Sequence, residues 1–95
     1  ESLERLGFAE NTLVIFTSDN GPEVTTAYHM RTDHGHDGAR PWRGVKRDQW
    51  EGGHRVPALA WGGPVAAGVR EEMVSTLDLY PTIVDLAGGS LAKDR

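Results

Sequence analysis

Asp19 and Asn20 stand side by side where the apolar run of "NTLVIFTSDNGP", residues 11–22, stops. In an extended strand, neighbouring side chains point to opposite faces, so the two oxygens cannot share an ion there. Gly21 can take unusual dihedrals and Pro22 blocks continuation, so a bend at the strand end can bring them together. Carboxylate and carboxamide oxygens are hard donors, suited to Ca²⁺ or Mg²⁺ rather than to soft metals. A bare Asp-Asn-Gly is also what an ordinary Asx turn looks like. The apolar strand before it and the long polar loop after it raise the metal reading. Ca²⁺ takes about six to eight oxygens, so two side chains supply only a minority.

A second cluster is "RGVKRDQWEGGHRVP", residues 43–57. Lys46 sits among Arg43, Arg47 and Arg55, and Gly52-Gly53 lets backbone approach closely. An ammonium is a compact charge fit to grip an anionic oxygen of a sulfate or phosphate. The same residues also read as a solvated basic loop anchored by Trp50. Glu51 suits a structural ion pair with one of the arginines. His54 either lines an anion pocket or orients the loop. "HGHDG" has the look of a transition-metal cluster, but His34 and His36 lie among glycines with no partner pair at helical or finger spacing. Together with His29 they are left without an assigned role. Ser18 lacks the glycine-x-serine-x-glycine surroundings of a nucleophile elbow.

Positioning these groups requires elements. "ESLERLGF" reads as the tail of a helix ending at Gly7. "TLVIFTS", residues 12–18, packs Leu13, Val14, Ile15 and Phe16 in succession, as in a strand covered on both faces of a parallel sheet. From residue 20 to residue 54 no period is sustained, which in a compact domain marks functional loop or disorder; aromatics and glycines argue against disorder. "RVPALAWG", residues 55–62, reads as a second strand with Pro57 near its start. "VREEMV" reads as a short extended piece. "STLDLYPTIVDLAGG" reads as a helix capped by Ser75 or Thr76, with Asp78 at its positive end and Gly88 as its stop. Its apolar stripe is Leu79, Ile83 and Leu86. This order is a slice of an α/β layer structure, and one helix with two or three strands cannot cover both faces of its sheet.

Ninety-five residues suffice for one small domain, and 38% apolar with 25% charged residues is ordinary globular composition. A formal charge of -4 gives no reason to expect nucleic acid as a partner. No apolar run is long enough for a transmembrane segment. Zero cysteines exclude disulfides, thiolate metal sites and a cysteine nucleophile within these residues.

Taken in order, "NTLVIFTSDNGP", "RGVKRDQWEGGHRVPALAW" and "STLDLYPTIVDLAG" resemble the later part of the catalytic domain of type I sulfatases, the arylsulfatase family of the alkaline-phosphatase-like superfamily. Only about residues 23–41 fall outside the resemblance. It implies an α/β fold, a fragment of a three-layer sandwich with a mostly parallel sheet. Residues 1–95 are then a partial catalytic domain, incomplete at both ends, with 20–54 as a long active-site loop region. The activity implied is sulfate-ester hydrolysis by a formylglycine nucleophile with a calcium ion. Asp19 and Asn20 match two metal ligands, and Lys46 matches the lysine that contacts the sulfate. His54 fits the motif and carries over only as a weak substrate-binding candidate.

The pattern also departs from the family. The formylglycine motif (cysteine or serine, then x-proline-x-arginine) is absent, as are the early paired aspartates that complete the metal site. Also absent are the lysine and histidine that bracket the leaving group. The chain alone is therefore expected to be inactive, as a fragment or a degenerate remnant that needs the rest of the parent domain. Two further readings stand beside this one: a fragment of a phosphate- or phosphonate-ester hydrolase, and a non-catalytic calcium- or anion-binding module. Aryl sulfates, sulfated sugars and glycosaminoglycans all remain open as substrates. Compartment is open too, although the resemblance tilts towards an exported or lysosomal parent. Asp19, Asn20 and Lys46 are expected around one polar pocket.

Overall fold

A computed structural model describes residues 1–92 of the chain. The final three residues of the expected domain, 93–95, lie outside the described residues. The elements in order are α1 (Ser2–Arg5), β1 (Val14–Thr17), α2 (Val24–His34), α3 (Glu51–His54), β2 (Ala58–Trp61) and α4 (Leu79–Leu86), with 3-10 turns at Ala9–Asn11 and Thr76–Asp78.

Helix ends follow local chemistry. α1 closes as a Schellman motif: Gly7 takes φ +76°, its N–H donates to Glu4 O at 3.1 Å, and Phe8 N–H donates to Leu3 O at 2.9 Å. The same closure ends α4, where Gly88 N–H donates to Asp85 O and Gly89 N–H to Val84 O, both at 2.9 Å. A capping box precedes α4. Ser75 Oγ accepts from Leu77 N–H at 3.0 Å and Asp78 Oδ2 accepts from Ser75 N–H at 2.7 Å. Such a cap contributes about 1 kcal/mol, and Pro81 falls within the first turn, where its missing N–H costs nothing.

Two segments depart from the sequence reading. Residues 24–34, expected as structureless loop, form the helix α2. Glu23 is its N-cap, accepting from Val24 N–H at 3.0 Å, and Gly35 ends it at φ +64°. The opposite departure is "VREEMV", which forms no strand.

The strands form one two-stranded sheet, in the register Val14↔Trp61 to Thr17↔Ala58. It is antiparallel, so the expected parallel pairing is not what these two strands make. The reason is where the loop closes. Gly53 returns to Gly21, its carbonyl accepting the Gly21 N–H at 2.9 Å, at the end where β1 finishes. β2 must start there and run back. In a ribbon of two strands, each strand also keeps one unpaired edge.

The two-sided cover expected for β1 is missing among the described residues: Phe16 and Leu59 are each 61% exposed, and Ile83 of the α4 stripe is 53% exposed. Ala27 and Ala39 are the only buried apolar residues described. The chain exposes 8435 Å², against about 5,400 Å² for a folded monomer of its mass. Its radius of gyration is 17.1 Å, where a compact chain of this length has about 12 Å. The apolar faces of β1, β2 and α4 are surfaces in want of cover. No described helix is long and apolar enough to cross a membrane.

Too little apolar area is buried here to offset the entropy of ordering the chain. The 95-residue chain by itself should therefore lose its near-UV circular dichroism gradually on heating. A sharp sigmoidal transition would reveal a core that these contacts do not provide.

Candidate active site

β1 ends in a bend tightened by its own side chains. Ser18 Oγ donates to Asn20 O and Asn20 Nδ2 donates to Gly21 O, both at 2.9 Å. Asn20 is half-buried, while Asp19 is exposed and joins no ion pair among the described residues. Both oxygen donors thus remain free for another partner.

The bend is stitched by main chain to the basic cluster. Beside the bond from Gly21 N–H to Gly53 O, Lys46 N–H donates to Pro22 O at 2.9 Å, and Gly52 N–H donates to Arg43 O at 2.8 Å. Gly21, Gly52 and Gly53 are buried, and a Cβ on any of them would collide with a neighbouring carbonyl: Gly52 O, Gly44 O and Asp48 O respectively. Only glycine permits this approach.

Lys46 rides on a β-turn over residues 45–48. Asp48 N–H donates to Val45 O at 2.9 Å, and Val45 N–H donates to Asp48 Oδ2 at 3.0 Å. Arg47 occupies the third turn position at φ +78°, normally a glycine conformation. Its Nη1 donates to Glu23 Oε1 at 2.7 Å, and Lys46 Nζ lies 3.8 Å from Glu23 Oε2. The Arg47 hydrogen bond holds the Glu23 carboxyl below the usual carboxylate range; partial burial opposes it, and the Val24 N–H adds to the lowering. Glu23 thus links the Asp19–Asn20 bend to the Lys46 turn, a role the sequence reading missed. The available signal was its place, an acidic residue directly after Asn-Gly-Pro and at a helix start.

The remaining arginines are also held. Arg43 stacks on the Trp50 ring at 4.2 Å and Arg55 on the Trp42 ring at 4.0 Å. Glu51 pairs with Arg55 at 3.1 Å, in the structural ion pair expected of it, and lies 3.5 Å from His54 Nε2. His54 is exposed at the end of α3. A second missed residue is Asp37, whose side chain is 11% exposed. Its Oδ2 receives Arg31 at 2.7 Å and Arg40 at 3.1 Å, and its Oδ1 accepts from Ala39 N–H at 3.2 Å. Burial pushes the Asp37 carboxyl up, but the Ala39 N–H and the two guanidiniums outweigh it and hold it low.

Two cavities adjoin these residues. One, of about 240 Å³, is lined by Ser18, Asn20 and Arg55 among others; Asp19 and Lys46 do not line it. The bend and the lysine turn are therefore joined through main chain, without their three side chains sharing one cavity. The other, of about 600 Å³, lies along Arg31, Asp37 and residues 40–45. His29 pairs within α2 with Asp33 at 3.5 Å, and His34 and His36 are exposed. No group of three or more acidic or histidine side chains poised for a metal occurs among the described residues.

Comparison with known proteins gives one family. The model of the Sulfatase family matches residues 1–90. Arylsulfatase of Hemicentrotus pulcherrimus is 38% identical over 96 residues, covering 100% of this chain and 16% of its own length. Steryl-sulfatase of Rattus norvegicus is 43% identical, with 99% and 16% covered. Human arylsulfatase A is 49% identical over 87 residues, with 90% and 16% covered. The chain thus spans about a sixth of the length of these curated relatives.

The Asp37 clamp is sensitive to acid. Because its pKa is depressed on folding, its contribution is complete above the unfolded value of about 3.9 and is lost as pH falls through the folded value. In the complete catalytic domain, carboxyl-carbon NMR should place the Asp37 midpoint below the unfolded value of about 3.9, and Arg31→Gln with Arg40→Gln should move it upward. An unshifted midpoint in both forms would remove the clamp.

Proposed function

As this chain belongs to the sulfatase family, we propose that it supplies one wall of the active site of a sulfate-ester hydrolase. The observation that carries this reading is the main-chain seam at Gly21, Pro22, Lys46 and Gly53. It fixes the oxygen-bearing bend at the end of β1 beside the turn that carries the lysine.

In this reading Asp19 and Asn20 hold part of a calcium site. Their fit rests on donor chemistry: an exposed, unpaired carboxylate next to a carboxamide whose Nδ2 is tied to Gly21 O, leaving its oxygen for a cation. Two such oxygens are fewer than Ca²⁺ needs, so further ligands must come from outside these residues. When bound, the ion neutralises charge on the sulfate's non-bridging oxygens. The nucleophile, a formylglycine in the family pattern, also lies outside this chain.

Lys46 contributes a positive charge held ready for a sulfate oxygen. Glu23 Oε2 lies 3.8 Å from the ammonium, while Arg47 takes the stronger share of that carboxylate at 2.7 Å. Lys46 therefore keeps hydrogen-bond donors for an incoming anion. Charge building on sulfate oxygens in the transition state would be met by a group already in place, so little reorganisation is required. His54, beside Glu51, acts by shaping the loop.

Within the complete catalytic domain, replacing both Asp19 and Asn20 with Ala should weaken calcium binding in calorimetry at least tenfold. Lys46→Ala should lower kcat/KM on an aryl sulfate about a hundredfold, the scale of losing one preorganised charge donor. Unchanged calcium affinity, or unchanged turnover, would sink the corresponding assignment. Gly53→Ala should disturb both at once, at a cost of about 1–3 kcal/mol in denaturant titration from overpacking.

A further inference from the structure

We propose that the cavity beside the Lys46 turn is a subsite for a second anionic group on the substrate, carried by a sugar unit. This rests on the sulfatase reading and narrows its substrate class to sulfated saccharides bearing another sulfate or a carboxylate. The cavity measures about 600 Å³, within the range of ligand pockets. Gly44 and Val45, which immediately precede Lys46, form part of its wall, so a ligand here adjoins the place proposed for the sulfate ester.

Its charge is unbalanced. Arg31, Arg40 and Arg43 line it against the single carboxylate of Asp37. Arg31 and Arg40 converge on the same Asp37 oxygen, at 2.7 and 3.1 Å, while their side chains remain 56% and 78% exposed. A guanidinium has five N–H donors in a fixed fork, so one shared oxygen leaves most of them unused. Asp37 lines the cavity too, but at 11% exposure, with Oδ2 taken by the two arginines and Oδ1 by the Ala39 N–H, its charge is already met within the chain. Arg43 is set by its stack on Trp50. Paired forks of this kind match the planar or tetrahedral oxygens of carboxylate and sulfate.

The sugar is suggested by Trp42, which also lines the cavity. One side of its ring is covered by Arg55 at 4.0 Å, yet the residue remains 40% exposed. A flat aromatic surface beside guanidinium forks offers a sugar ring an apolar face and its acidic substituent a charge partner.

The test uses the complete catalytic domain with two sulfate esters, 4-methylumbelliferyl sulfate and a disulfated disaccharide. An unsulfated glucuronate disaccharide, which has no ester to cleave, reads binding by calorimetry. Joint replacement Arg31→Gln and Arg40→Gln should lower kcat/KM for the disulfated disaccharide about tenfold relative to the aryl sulfate, mostly through KM. It should weaken glucuronate binding by a similar factor, and Arg31→Lys with Arg40→Lys should restore part of both. An unchanged selectivity ratio, an equal loss on both esters, or no glucuronate binding by the native domain would overturn the subsite. Arginine-dependent glucuronate binding in a domain that cleaves neither ester would uphold the subsite and remove the sulfatase reading.

Discussion

The packing of bare main chain at Gly21, Gly52 and Gly53 is the constraint on which the rest depends. Three residues without side chains allow two loops, far apart in sequence, to meet backbone to backbone. The bonds made there do several things together. They close the long excursion between the strands and set the strands running in opposite directions. They also bond the lysine turn to Pro22, two residues after Asn20. The buried N–H and carbonyl groups at this meeting satisfy one another, which keeps an irregular segment affordable in energy.

Around this seam the basic residues are distributed by acidic and aromatic partners. Glu23 takes Arg47 and approaches Lys46, Asp37 takes Arg31 and Arg40, and Glu51 takes Arg55. Trp42 and Trp50 each carry a guanidinium on a face. Those of Glu23 and Glu51, which are exposed, contribute little to stability. Their effect is directional: each fixes where a charge sits, and a site that meets anions depends on placement more than on total charge.

What could be read from residue order was what local chemistry decides. The stops at Gly7 and Gly88, the Ser75–Asp78 cap and the apolar centres of both strands follow from neighbours a few positions away. The bend at Asp19–Pro22 and the ion pair of Glu51 were legible for the same reason. α2 was not, because it opens on Val24, Thr25 and Thr26 and its apolar spacing is broken by Arg31, so no stripe marks it. α3 is four residues long and half glycine, below any periodic signal. Strand direction and the Asp37 clamp were out of reach as well. They depend on contacts that only the folded path creates.

The paired strands have a consequence for how these residues behave during synthesis. Each presents one row of open N–H and carbonyl groups, flanked by Phe16, Leu59 and Trp61 with their rings and branches in water. While these edges stay open, a nascent chain carrying this ribbon offers a template to any other copy nearby. Whether that edge and its apolar flanks are covered promptly then decides between a folded product and aggregation.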